Sequence, residues 1–415
     1  MLTIILKILI PFLVIMQILP FLIWLERKGA AYIQDRRGPN RASILGLRLG
    51  GLIHSLADVV KLIFKEDIVP SHVNKFVYTL APFLAMAVAC MTFAVIPWAA
   101  PLDWKGGLFT LQAVDLNVGI LYLFAIASMG VYGIMLAGWG SNNKYSLLGG
   151  LRSSAQMISY ELTLGLSVVG VLILAGSLEL NAIVQNQGAN PLSWNAIRQP
   201  LGCILFVVSA FAETNRLPFD LPEAEAELVA GYHVEYSSLK FALFFMAEYA
   251  NMIIASALMA TLFFGGWQVP FVSTEALRAH ATTILYYSVL GIGVFSILAG
   301  WFLARRKPKV VYHDARDRET KVLGIPAILV GMALVVGQIL LGPLALGETG
   351  SQIAAAAFQF GVFLLKILFF CWVFIWVRWT LPRFRYDQLM NLGWRVMLPL
   401  ALLNVVVTAG VYLWL

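Results

Sequence analysis

The chain is poor in almost everything a soluble enzyme works with. Charged residues fill only 12% of its 415 positions, against 60% hydrophobic ones, and no soluble globular fold needs that much apolar surface. Histidines number five (His54, His72, His233, His280, His313), and no two are spaced as metal ligands. The three cysteines, Cys90, Cys203 and Cys371, lie far apart in apolar segments with no CxxC pair. That argues against a disulfide framework, structural zinc, an iron–sulfur cluster or an intramembrane haem held by this chain. There is no GxGxxG after a strand, no P-loop and no GxSxG elbow, and the chain should carry no redox centre of its own. Internal repeats and low-complexity tracts are missing too.

What is present is long apolar sequence. Runs such as Ile8 to Leu25 and Ile325 to Leu346 recur. A bilayer core about 30 Å thick takes about 20 helical residues, and in it every backbone polar group must bond within its own segment. A β-barrel would show short alternating segments instead. The expected fold class is an all-α polytopic membrane protein with about ten transmembrane helices, near residues 2–25, 76–99, 117–139, 155–176, 200–213, 241–266, 283–303, 323–345, 355–377 and 396–415. The first run has only Lys7 as a basic flank and passes straight into Trp24-Leu25-Glu26-Arg27-Lys28, so it reads as a retained helix and not a cleaved signal.

Charge orients these spans. Basic residues crowd alternate loops, from Arg27 to Lys75, Lys144 to Arg152, Arg216 to Lys240, Arg305 to Lys321 and Arg378 to Arg395, while the other loops hold only Lys105, Arg198 and Arg278. Cationic loops stay on the cytoplasmic side, which places both termini on the periplasmic side of a prokaryotic inner membrane. The net charge of +7 is then loop bias, and no nucleic-acid partner is implied. In the first such loop Leu49, Leu52, Ile53, Leu56, Val60 and Ile63 follow helical spacing, with His54, Asp58, Lys61 and Lys65 opposite. This predicts an amphipathic helix lying at the membrane surface or against a partner.

Four stretches carry the chemistry. In the first, Glu26 and Asp35 sit among cations that include Arg27, Arg36 and Arg37, beside a Gly38-Pro39 turn. The second, residues 213–240, holds six carboxylates (Glu213, Asp220, Glu223, Glu225, Glu227, Glu235) against Arg216 and Lys240. Crowded carboxylates at a membrane boundary cannot all ionise cheaply, so some become proton carriers. Asp220 and Pro222 would also suit the start of a helix. The third is intramembrane: Glu161 follows Tyr160 in the fourth span, and Glu248 precedes Tyr249 in the sixth. The fifth span's apolar run, Leu201 to Ala212, covers only about 18 Å, which draws Glu213 to membrane depth. Such charges mark ion or proton paths. Lys366, alone in the ninth span, would pair with one of these acids. The fourth, Arg378 to Met390, reads by itself as a snorkelling basic anchor with aromatic neighbours.

Five segments together resemble one family: Glu26-Arg27-Lys28…Arg37-Gly38-Pro39-Asn40-Arg41, Leu56-Ala57-Asp58…Lys61…Lys65-Glu66-Asp67, Glu213…Arg216…Pro218-Phe219-Asp220-Leu221-Pro222-Glu223…Glu225, Gly231…Glu235-Tyr236…Lys240-Phe241 and Leu381-Pro382-Arg383…Arg385-Tyr386-Asp387-Gln388. They are similar to the H-subunit family of NADH:quinone oxidoreductase, respiratory complex I, whose mitochondrial counterpart is NADH dehydrogenase subunit 1. The resemblance covers residues 1–267 and 355–415. Residues 268–354 then read as an insertion that adds two spans to the family's eight. The first loop also has Gly51-Leu52-Ile53-His54-Ser55 where the family more often has Gln-Pro, which leaves the local helix start open.

The resemblance implies a role. With two peripheral-arm subunits, the quinone-site and terminal iron–sulfur subunits, the chain would form a chamber for a lipid-soluble quinone, ubiquinone or menaquinone. Glu26, Arg27, Arg36, Arg37, Asp58 and Arg216 would lie at that chamber. Glu213, Asp220, Glu223, Glu225, Glu227 and Glu235 would sense quinone reduction, and Glu161 and Glu248 would pass the change towards antiporter-like and small membrane subunits. FMN and iron–sulfur clusters would belong to partner subunits only, with no metal and no covalent cofactor here. Two rivals fit less of the pattern: the ion-translocating subunit of a membrane-bound hydrogenase or formate-oxidising complex, and a stand-alone secondary transporter, which should show two matching halves.

Overall fold

The computed structural model describes residues 2–36, 38–104, 107–220, 231–305, 319–343 and 346–414. Among them, nine helices are long and apolar enough to cross a membrane, which makes the chain a multi-pass membrane protein. They are α1 (Leu2–Ile33), α3 (Lys75–Thr92), α4 (Gly119–Gly140), α5 (Lys144–Ala175), α9 (Ser238–Phe263), α11 (Ala281–Arg305), α12 (Glu319–Leu341), α13 (Glu348–Thr380) and the run from α14 (Tyr386–Asn391) into α15 (Leu398–Trp414). The tenth apolar helix, α8 (Pro200–Glu213), has 14 residues and spans only about 21 Å. Its N-terminus follows the short α7 (Asn195–Arg198), and Pro200 suits its first turn.

Several helices outrun their apolar cores. α1 continues past Glu26 to Ile33, and α5 starts at Lys144 and so carries Arg152 inside it. Charge at a helix end extends into the headgroups, so hydropathy alone places those boundaries too early.

α9 is the hub. Two thirds of its apolar window is buried (67%), against 11% for α11 and α12. The latter pair lies at the margin and packs mainly on itself. A Cβ on Gly300 would stand 2.7 Å from the Gly324 carbonyl oxygen, and one on Gly331 would stand 2.6 Å from that of Gly293. Glycines here let two helix backbones touch. Most of the basic loop between the two helices, residues 306–318, lies outside the described residues.

The end of the bundle reached by the C-terminus of α9 is covered by a thin layer. It contains a hairpin of β1 (Leu102–Trp104) and β2 (Gly107–Phe109), with α6 (Leu180–Gln187) and α10 (Thr274–Ala279). Gln359 of α13 accepts from the Ala100 N–H at 3.1 Å and donates to Thr274 Oγ1 at 3.2 Å, which ties this layer to the bundle.

At the other end, a short turn (Leu49–Gly51) leads into α2 (Ile53–Phe64). The predicted amphipathic helix is present, but its apolar stripe faces outward. Leu56, Val60 and Ile63 are exposed, while Ser55 and Ile53 are buried. The polar side binds α1: Ser55 Oγ donates to the Pro20 carbonyl at 2.9 Å, and Asp58 pairs with Arg27 at 2.5 Å. Trp24 Nε1 also donates to the Gly50 carbonyl at 3.0 Å.

Candidate functional site

Four segments bring charge to one buried point. Glu26 stands on α1, Arg216 just after α8, Glu248 and Tyr249 on α9, and Arg378 near the end of α13. Glu26 Oε2 accepts from Arg216 Nη1 at 3.1 Å and from the Tyr249 hydroxyl at 2.8 Å, and its Oε1 accepts from Arg378 Nη1. Arg216 Nε lies 3.5 Å from Glu248 Oε1, and the guanidinium carbon sits 4.3 Å from the Tyr249 ring centre. Two acids and two arginines balance. Buried ions persist only when paired and hydrogen-bonded, and the Arg216 and Glu26 side chains are 2% and 8% exposed.

The turn that delivers Arg216 is built from inside. Gln156 of α5 donates to the Ala212 carbonyl at 2.8 Å, to Asn215 Oδ1 at 3.2 Å and to the Phe219 carbonyl at 2.8 Å. Outside it, the Phe384 N–H donates to the Pro218 carbonyl at 3.0 Å, and Arg383 lies 4.0 Å from Asp220. The loops around 218 and 384 therefore form one unit. Arg378 and Arg383 are not the snorkelling anchors predicted for that stretch, because each has an acid within reach. Arg385 does stay exposed, paired with Asp387.

Glu26 also lines a cavity of about 440 Å³, with Arg27, Arg36, Asn40, Arg41, His54 and Trp379. Its roof is the turn Gly38 to Arg41, which rests on the start of α2. A Cβ on Gly51 would fall 2.0 Å from the Pro39 carbonyl oxygen. Only glycine fits there. Arg37 lies outside the described residues.

Deeper in, two small cavities of about 40 and 30 Å³ meet at Glu213 and Asn251. The smaller one also reaches Glu248 and Tyr232. Each has room for a water or two by volume. Beyond Glu213, Glu161 is its electrostatic neighbour and is held by the Ser128 hydroxyl of α4. Glu26, Arg216, Glu248, Glu213 and Glu161 thus form one connected series.

Not every predicted residue joins it. Glu235 accepts from Asn143 Nδ2 at 2.6 Å, and its carbonyl takes the Tyr78 hydroxyl at 2.7 Å. It lies outside both Glu213 cavities. Next to it, Tyr236 stacks on Tyr78 with centroids 4.2 Å apart, and burial pushes its phenol well above the usual range. Glu223, Glu225 and Glu227, and the helix start expected at Pro222, fall outside the described residues. Asp35 lies in the turn after α1, and Asp58 sits on α2, paired with Arg27. Lys366 has no acid partner among the described residues; its ammonium binds three backbone carbonyls. Sequence reasoning read Arg378 only as an anchor, and missed Asn251, Gln156 and Ser128. An uncharged Asn, Gln or Ser in an apolar run was the available signal.

Comparison with known proteins places this geometry. The family model described as NADH dehydrogenase matches residues 6–315 and 320–409, running through much of 268–354 as well. A protein of Solibacter usitatus, named as an H-type subunit of NADH-quinone oxidoreductase, is 44% identical over 412 residues, which is 97% of this chain and 94% of the relative. Its namesake from Cytophaga hutchinsonii is 42% identical over 385 residues, 93% of this chain and 89% of the relative. A protein of Rhodothermus marinus named NADH-quinone oxidoreductase subunit 8 is 43% identical over 390 residues, covering 94% and 91%. With matches that run nearly the full length of both this chain and its relatives, the chain belongs to the NADH dehydrogenase family, as an H-type subunit of the multi-subunit enzyme NADH-quinone oxidoreductase.

Proposed function

We propose that this chain forms the membrane side of a quinone chamber and converts quinone reduction into proton movement. The observation that carries this reading is the double position of Glu26. One carboxylate lines the 440 Å³ cavity and also accepts from Arg216 and Arg378. The cavity lies within the size range of small-ligand pockets, and Arg27, Arg36 and His54 supply donors for a quinone oxygen. Charge appearing there repels Glu26. Arg216 passes the change to Glu248, the water-sized cavities to Glu213, and Glu213 to Glu161. Carboxylates that respond to a nearby charge in this way can take up and release protons.

In this reading electrons arrive from FMN and iron–sulfur clusters in partner subunits, through the quinone-site and terminal iron–sulfur subunits docked on the loop side. The proton is handed on to antiporter-like and small membrane subunits. The cationic loops face the cytoplasm of a prokaryotic cell and both chain ends face the periplasm. Residues 1–267 and 355–415 make the working core, and 268–354 a peripheral addition. Glu223, Glu225, Glu227 and Asp220 feed the same path from the loop side, and Arg37 and Asp58 complete the mouth. The test is Glu213→Gln in the assembled complex reconstituted in vesicles. Quinone-dependent NADH oxidation coupled to acidification should fall at least tenfold while assembly persists. Normal pumping would remove Glu213 from the path.

A further inference from the structure

Lys366, on the spanning helix α13, is a charged residue that this series leaves unused. Its Nζ donates to the carbonyls of Phe264, Gly266 and Gln268 at 2.8 Å each and sits 4.5 Å from the centre of the Trp194 ring. These carbonyls lie at and just past the C-terminus of α9, at the end of the bundle away from the Glu26 cluster. Along α13, Lys366 stands 12 residues, about 18 Å, from Arg378. The cage is prebuilt. Gln187 Oε1 accepts from the Gly265 N–H at 2.9 Å, and Asn195 Nδ2 donates to the Leu262 carbonyl at 2.8 Å. Three carbonyl oxygens and one aromatic face thus converge on the ammonium, the contacts a cation makes best.

The placement matters because of what lies between. The larger Glu213 cavity is lined by Leu164, Phe206 and Leu258. Phe206 and Leu258 lie towards the far end, since α8 runs to Glu213 from there and α9 runs there from Glu248. Phe206 packs in turn on Phe263 at 5.3 Å, and next to that Phe264 packs on Phe370 at 4.9 Å. An apolar plug is thin protection when the open end of a helix sits behind it. A helix C-terminus is the negative pole of its dipole and its free carbonyls draw cations. With the ammonium seated there, the same site repels them, as fixed positive charges do in channels that exclude protons.

We propose that the Lys366 ammonium in its carbonyl cage is an electrostatic seal, closing the far end of the bundle to protons. It rests on reading the Glu213 cavities as a proton path. A unit charge about 8 Å away at an effective dielectric near 20 changes local cation occupancy roughly 30-fold.

The test measures passive proton leak in vesicles carrying the whole complex without substrate. Lys366→Met should raise the leak roughly tenfold or more, with uncoupled quinone reduction within about twofold of wild type, and Lys366→Arg should stay tight. Trp194→Leu, which keeps the ammonium but removes the ring, should leak less than Lys366→Met. Wild-type tightness in an assembled Lys366→Met complex overturns the seal. So does a Lys366→Met complex that fails to assemble while Lys366→Arg assembles, because the lysine is then a folding contact. The double variant Lys366→Met/Glu213→Gln separates the two readings. A leak that persists there leaves the seal standing and removes Glu213 from the route; a leak that disappears supports both.

Discussion

Glu26 and Arg378, 352 residues apart in sequence, close one buried ion pair that joins the first long helix to α13. Their side chains are 8% and 18% exposed, so losing Glu26 strands Arg378, and losing Arg378 leaves the buried cluster of Glu26, Arg216 and Glu248 with one uncompensated negative charge. Arg378→Leu should therefore destabilise the fold by about 3 kcal/mol, and Glu26→Gln with it should recover part of that loss. Thermal unfolding of the purified complex, run as a double-mutant cycle, measures the coupling. Additive losses would show that the pair does not interact.

Gly51→Ala should disturb the cavity without touching it. The new methyl meets the Pro39 carbonyl, and the backbone there has φ 95°, a strained value for alanine. Strain of about 1–3 kcal/mol is expected, relieved by moving the Gly38 to Arg41 turn. Quinone titrations should give a KM raised several-fold with kcat changed less. An unchanged KM would separate this turn from quinone binding.

Asn251 is the polar residue shared by both cavities at Glu213 apart from Glu213 itself and Thr214. Asn251→Leu fills that space with hydrocarbon, and water needs polar partners to remain. Protons pumped per electron should fall by at least half, while Asn251→Asp keeps most of the pumping. Equal ratios in both variants would mean that protons do not cross these cavities.

Gly300→Leu should open the α11–α12 pair, because its Cβ alone would stand 2.7 Å from the Gly324 carbonyl oxygen. Since this hairpin lies at the margin, uncoupled quinone reduction should stay within about twofold of wild type while protease cleavage between the helices accelerates. A parallel collapse of activity would make residues 268–354 part of the working core.

The membrane fold could be read directly, and the reason is local. Span length follows from bilayer thickness, and backbone bonds in hydrocarbon close within each helix, so hydropathy found α3, α4, α5, α9, α11, α12 and α13 and even the short α8. Glu161, Glu213 and Glu248 stood out for the same reason: charge in an apolar run is rare because it is expensive. Partnership is a different matter. Whether an arginine beside tryptophan snorkels or is buried depends on what another helix presents at the same depth, and for Arg378 that is Glu26. Whether the apolar stripe of α2 turns inward depends on α1, which offers Arg27 and the Pro20 carbonyl to Asp58 and Ser55 instead.

Composition, helix count and the places where charge enters the membrane belong to the one-dimensional chain, because each is decided within a single segment and its solvent. The joining of Glu26, Arg216, Glu248 and Arg378, and the capture of Lys366 by three carbonyls, arise only when distant segments meet. A charge removed from water takes whatever counter-charge or dipole the packing brings within reach, and that choice is made in three dimensions.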